Sequence, residues 1–353
     1  MNTTSPPASR FLSLSAERRT LAFEQAAAGR AGQQVMLEKD FWVSWLLGLL
    51  FTLPDVAPHL VFKGGTSLSK VYGVIDRFSE DIDLCLVPAF VGADAEGFDA
   101  LGSRTRRDAA VLEMQRLCGL KVREVLQPQL EAAIRDALGV SQTADAWLRY
   151  EEDEVARSPI LYFRYPTQQR TGFSYIQREV KLELGTLTDQ QPTERHAIRP
   201  LVSDAFPAIF DDWHCEVTAL ALERTFWEKA TILHAEFYRP DEQGLPDRYA
   251  RHYSDMARLL AHGDAERFLT DETLCARVVD WKSRVFARGW ARYDLARAGT
   301  FRLVPPLARR TALAQDYAVM QQMFASAPPA FEEVLASLAK AEEQLNASKG
   351  ARI

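Results

Sequence analysis

Between Phe62 and Leu84 the chain reads FKGGTSLSKVYGVIDRFSEDIDL, and no other stretch restricts the fold as much. A short apolar strand, His59 to Lys63, runs into a turn at Gly64 and Gly65, where the missing Cβ atoms permit unusual backbone angles and close approach of a phosphate. Thr66 or Ser67 then caps a helix, with Leu68, Val71, Tyr72 and Ile75 at the i, i+3, i+4, i+7 spacing of one buried face. That helix is expected to point its N-terminus at an anion held by the glycines. Further on, strand alternation puts Asp81 and Asp83 on one face, roughly 6 to 7 Å apart, while Ile82, Leu84 and Leu86 enter the core. Such a pair suits divalent cations about 3.5 to 4 Å apart that bridge phosphate oxygens. Separately, a glycine pair is a common turn and an Asp-x-Asp a solvated strand face; their order and spacing favour a nucleotide and metal site.

Lys63, Gly64, Gly65, Thr66, Leu68, Lys70, Arg77, Ser79, Asp81, Ile82 and Asp83 together resemble the active-site signature of the nucleotidyltransferase superfamily that includes DNA polymerase beta. The resemblance is greater to the AbiEii/AbiGii toxin family. Glu38, Lys39, Asp40, Phe41 and Trp42 resemble the helix that precedes the glycine motif in that family. Val180 to Gly185, VKLELG, resembles its third carboxylate strand, and alternation sets Lys181 and Glu183 opposite Val180, Leu182 and Leu184. Glu183 is therefore the third acid. RTFWEKATIL and RHYSDMARL resemble the later lysine and aspartate motifs, with Lys229 and Asp255 at the matching positions. On residues alone, Lys229 is a solvated helical lysine and Asp255 pairs with Arg251 or Arg258 of its own helix. Asp316, Tyr317, Met320, Phe324 and Phe331 resemble the C-terminal part of the family.

The resemblance implies an α/β (α+β) fold: a polymerase beta-like nucleotidyltransferase core with a mixed sheet, flanked by N-terminal and C-terminal helical elements. It implies that Asp81, Asp83 and Glu183 bind Mg²⁺ or Mn²⁺. Lys63, Gly64, Gly65, Thr66, Ser67, Lys70, Arg77, Ser79 and Lys229 would hold or shape the pocket of a nucleoside triphosphate, and Lys229 and Asp255 would act in catalysis. An acceptor hydroxyl would attack the α-phosphate and pyrophosphate would leave. The implied role is the toxin of a type IV toxin–antitoxin or abortive-infection pair in phage defence, with a cognate antitoxin encoded nearby and tRNA as acceptor. Two other readings stay open: transfer to a protein or small-molecule hydroxyl, and a catalytically silent module that binds a nucleotide or the antitoxin.

With 353 residues and 47% hydrophobic content, the chain is long and apolar enough for a large core. Residues 1–58 read as a helical segment, 59–200 as the strand-bearing core with a helical insertion from Arg104 to Leu138, and 201–353 as mainly helical, closed by a helix with Phe331, Val334, Leu335 and Leu338 on one face. Cys85, Cys118, Cys215 and Cys275 lack the spacing of a zinc site or a disulfide framework. The opening MNTTSPPASR has no apolar signal core, and the run Phe41 to Leu53 is shorter than the roughly 20 residues that span a bilayer, so no membrane and a cytoplasmic location are expected. The formal net charge of −6 argues against indiscriminate adhesion to nucleic acid. Arg277 to Arg302 mixes basic and aromatic residues; it reads as an amphipathic helix with core aromatics and solvent-facing arginines, ahead of an RNA surface.

Overall fold

The structure is a computed structural model that describes residues 9–28, 33–93, 101–141, 146–168, 177–324 and 326–347. Most of MNTTSPPASR, on which the absence of a signal core was read, lies outside them. The chain divides into two compact units, Met1–Val71 with Glu80–Leu220 and Tyr72–Ser79 with Ala221–Ile353.

The first unit is built on a seven-stranded mixed sheet of order β3-β4-β5-β2-β1-β7-β6. The strands are β1 (Leu60–Lys63), β2 (Ile82–Leu86), β3 (Leu148–Glu152), β4 (Pro159–Phe163), β5 (Val180–Gly185), β6 (Thr193–Ala197) and β7 (Glu216–Leu220). β2 runs antiparallel to β1 and parallel to β5, and β1 runs parallel to β7. Alternation commits Phe62, Ile82, Leu84, Leu182 and Leu184 to one face, where all are buried. Against that face packs an apolar core shared with the helices α1 (Ser9–Leu12), α2 (Ala16–Ala26) and α3 (Gln33–Leu50). α3 is apolar around most of its circumference, as a helix buried on all sides must be, with Phe41, Trp42, Trp45 and Leu49 inside. Trp42 stacks on Tyr165 at 5.8 Å between centroids and Trp45 on Phe163 at 5.8 Å, which ties α3 to the β4 end of the sheet. After α4 (Gly64–Lys70) and α5 (Pro88–Val91), the expected helical insertion comprises α6 (Arg104–Lys121) and α7 (Gln127–Leu138), joined by the π-helical turn Val122–Leu126.

Two expectations change. The helix after the glycines ends at Lys70 and does not extend to Ile75; Gly73 takes a left-handed φ of 61°, which halts helical propagation although the apolar spacing continues. β7 lies beyond residue 200, in the part read as mainly helical, and was not itself foreseen. Its EVTAL sequence runs into the apolar start of the next helix with one alanine between, so no local signal separates the two.

The second unit is helical: α8 (Leu222–Phe237), α9 (Ala250–Leu260), α10 (Ala265–Thr270), α11 (Glu272–Val285), α12 (Leu307–Met320) and α13 (Phe331–Ala347). The closing helix α13 buries Phe331, Val334, Leu338 and Leu345 as its spacing predicts. The basic-aromatic stretch keeps its solvent-facing arginines, with Arg277, Arg288, Arg292 and Arg297 exposed, and departs from its expectation in the aromatics. Of its aromatics only Phe301 is fully buried, and Phe286 is 40% exposed. Lys282 faces inward and pairs with Glu228 at 2.8 Å, while Arg284 and Arg292 pair with Asp280 and Asp294 at 2.6 and 3.0 Å. The apolar stripe of α11 is supplied by Leu274, Cys275, Val278 and Val285 instead.

Candidate active site

On the sheet face opposite the core, Lys63, Asp83 and Glu183 occupy one row: Lys63 is the register partner of Asp83, and Asp83 of Glu183. Neighbouring strands lie about 4.8 Å apart, so the row sets two carboxylates from parallel strands side by side, as Glu183's predicted face requires. Asp81 immediately precedes β2. Burial, then the charges of Glu80, Glu183 and Asp83, raise its carboxyl to about 6, against the opposing pull of Lys181. Lys181, two residues before Glu183 and on its face, donates to Glu183 Oε1 at 2.5 Å. Alternation identified Lys181's face, although not its bond to the acid.

Gly64 serves this row directly. It opens α4 with a φ of +83°, and a Cβ there would overlap Asp83 Oδ2 and lie 2.6 Å from Asp83 Cγ. The residue must therefore be glycine for two reasons, backbone angle and contact with the carboxylate. Gly64→Ala is expected to lower stability by about 1 to 3 kcal/mol from backbone strain alone and to push Asp83 from its place. Urea unfolding checks the first effect and nucleotide transfer the second.

Thr66 and Ser67 do not cap α4, whose N-cap position is Lys63 without a side-chain cap. They lie one turn inside: Thr66 Oγ1 donates to the Asp81 carbonyl at 2.5 Å, and Ser67 Oγ to the Gly64 carbonyl at 3.0 Å. Both thereby brace the backbone on either side of the site. Lys70 is buried and paired with Asp40 of α3, whose second oxygen accepts from the Leu201 N–H at 2.7 Å. Gly65 is partly buried in the first turn of α4. On the same helix as Asp40, Lys39 donates to Glu80 at 2.6 Å and to the Gln177 carbonyl at 3.0 Å, both contacts buried or nearly so. The Glu-Lys-Asp segment of α3 thus holds the residue before Asp81 and the last residue of α4. Sequence spacing alone could not pair them.

The second unit carries Arg77, Ser79, Lys229 and Asp255. Asp255 is 1% exposed and pairs with neither Arg251 nor Arg258; Arg77 Nε and Nη2 donate to its two oxygens at 2.7 and 2.8 Å, and Lys229 Nζ donates to Oδ2 at 2.6 Å. Burial alone would raise the Asp255 carboxyl; the two cations overcome it and hold the group well below the usual carboxylate range. Burial lowers Lys229, with Asp255 opposing. Lys229 also reaches His252 Nδ1 at 3.4 Å, and burial followed by the Lys229 charge keeps that imidazole neutral far below its ordinary value. Lys229 is thus no solvated helical lysine. Ser79 lies in the loop that follows, partly buried.

The all-oxygen set Asp81, Asp83 and Glu183 fits a hard cation in kind, and the repulsion that raises Asp81 is what a bound dication relieves. Among the described residues no three His, Cys, Asp or Glu side chains already converge as metal ligands. Glu183 is engaged by Lys181 instead. Cys85, Cys118, Cys215 and Cys275 are all buried and free. No helix of the described residues is long and apolar enough to cross a membrane.

Residues 46–337 match the family described as nucleotidyl transferase AbiEii toxin, type IV toxin–antitoxin system. The chain belongs to this family. Among solved structures, it is similar to MenT4, a nucleotidyltransferase toxin from Mycobacterium tuberculosis H37Rv, at 17% identity over 93% of this chain and 99% of that one, with a TM-score of 0.44. No curated protein matches.

Proposed function

We propose that this nucleotidyltransferase toxin is metal-dependent, acts in the cytoplasm, moves a nucleotide from a nucleoside triphosphate to an acceptor hydroxyl on tRNA, and is paired with a cognate antitoxin encoded nearby. The observation that carries the reading is the row Lys63, Asp83 and Glu183 with Asp81 beside it, built against a glycine whose Cβ the Asp83 carboxylate excludes. Bound Mg²⁺ or Mn²⁺ on Asp81, Asp83 and Glu183 would neutralise charge on the transferred phosphate. The chain's own groups do the rest. Lys63 adds positive charge at one end of the row, and the open backbone at Gly64 and Gly65 leaves room for phosphate oxygens. Thr66 and Ser67 fix that backbone, and Lys70 and Lys39 fix α4 and Glu80 through α3. In the second unit, Asp255 keeps Lys229 charged and aimed, and Arg77 keeps Asp255 ionised.

The test is incubation of the full chain with each labelled nucleoside triphosphate, Mg²⁺ and total RNA, followed by separation of RNA, protein and small molecules. Label in the tRNA fraction is the expected result. Label in protein or a small molecule would reassign the acceptor, and nucleotide binding without any transfer would mark a silent module.

A further inference from the structure

The first unit contains a cavity of about 610 Å³ that none of Asp81, Asp83 and Glu183 lines. That volume falls within the range of small-molecule sites, which combine an apolar wall with a few convergent polar groups. The apolar wall is Leu12, Leu138 and Val140, at the ends of α1 and α7 and just past α7. Among the described residues, three arginines also line it: Arg19, Arg164 and Arg178. Arg19 Nη1 is spent on the carbonyls of Leu12 and Leu14 at 3.0 and 2.6 Å and so secures the wall. Arg164 and Arg178 are exposed at the rim. Among the described residues the one acid lining the cavity, Glu38, accepts from Thr167 Oγ1 at 2.8 Å. Burial raises it to about 7, so at neutral pH it opposes an anion with only part of a charge.

We propose that this cavity is a second binding site, separate from the carboxylate row, for an organic anion: its acidic head at Arg164 and Arg178, its apolar body against Leu12, Leu138 and Val140. Guanidinium forks recognise carboxylate, sulfonate and phosphate heads alike, and the wall selects those that carry an apolar body. The site stands independently of nucleotidyl transfer.

The test is a fluorescence titration of the full chain with 8-anilinonaphthalene-1-sulfonate, using decanoate and inorganic phosphate as competitors. One saturable site per chain is expected, displaced by decanoate and not by phosphate. Arg164→Glu with Arg178→Glu should weaken it at least about tenfold, since each charge-assisted contact is lost and replaced by repulsion. Val140→Glu, at an exposed rim position, should weaken it also. Circular dichroism and the melting temperature confirm that each variant is folded. Non-saturating dye binding, affinity unchanged in the folded charge-reversal variant, or displacement by phosphate as effective as by decanoate would each overturn the proposal.

Discussion

Asp255→Ala is expected to reduce the unfolding free energy by about 3 to 5 kcal/mol, because it leaves two buried cations without their shared carboxylate. Arg77 is 4% exposed and Lys229 7%, so neither can recover full hydration in place. Lys229 is expected to respond by losing its proton, since burial already lowers it and Asp255 is the group that opposes the shift. Chemical denaturation followed by circular dichroism measures the loss. Adding Lys229→Met to Asp255→Ala should restore part of it, because removing a stranded charge relieves the desolvation that stranded it. The pH dependence has a definite sign. A depressed carboxylate contributes stability that is complete above its unfolded value of about 3.9 and is lost only as pH falls through the lower folded value. A loss below about 1 kcal/mol would mean that water enters the cluster, contrary to its burial.

Asp81→Asn combined with Asp83→Asn is expected to reduce nucleotide transfer by on the order of 10³-fold, about 4 kcal/mol of transition-state stabilisation, since two of the three proposed oxygen ligands lose their charge. Stability should move the other way. Asp81 is raised to about 6 by burial and by Glu80, Glu183 and Asp83, so its ionised form strains the folded state at neutral pH. For a carboxyl raised in this way the burden appears as pH climbs above the unfolded value, and an uncharged amide never incurs it. A melting temperature unchanged or higher, beside lost transfer, separates chemical from structural damage. Transfer retained within about tenfold of the wild type would remove these residues from catalysis.

The elements with complete local signals were legible in the sequence. Alternation found β2 and β5 and the shared row of Asp83 and Glu183; period found α13, and the helical insertion read over Arg104 to Leu138 is where α6 and α7 lie. Phe41, Trp45 and Leu49 stand at i, i+4 and i+8, the spacing of a buried helical stripe, and all three are buried in α3. What escaped was set by contacts distant in sequence. Lys70 meets Asp40 across 30 residues, Lys39 meets Glu80 across 41, and Arg77 meets Asp255 across 178. No local pattern encodes such pairings, so the buried acids that hold Lys70 and Arg77 were not foreseen. β7 escaped for a related reason, since its place comes from parallel pairing with β1. Thr66 and Ser67 were misplaced by one turn because Lys63, with no capping side chain, takes the position ahead of Gly64.

The chain leaves its first unit at Val71 and rejoins it at Glu80, which has a consequence for biosynthesis. Arg77 emerges from the ribosome 178 residues ahead of Asp255. At bacterial and eukaryotic elongation speeds, roughly 9 to 36 s pass between the two. Throughout that interval the sheet can assemble while the eight-residue excursion waits in water for helices not yet translated. A fragment ending near Leu220 would keep this orphaned loop indefinitely, making it a natural target for proteases and a poor choice of minimal expression boundary.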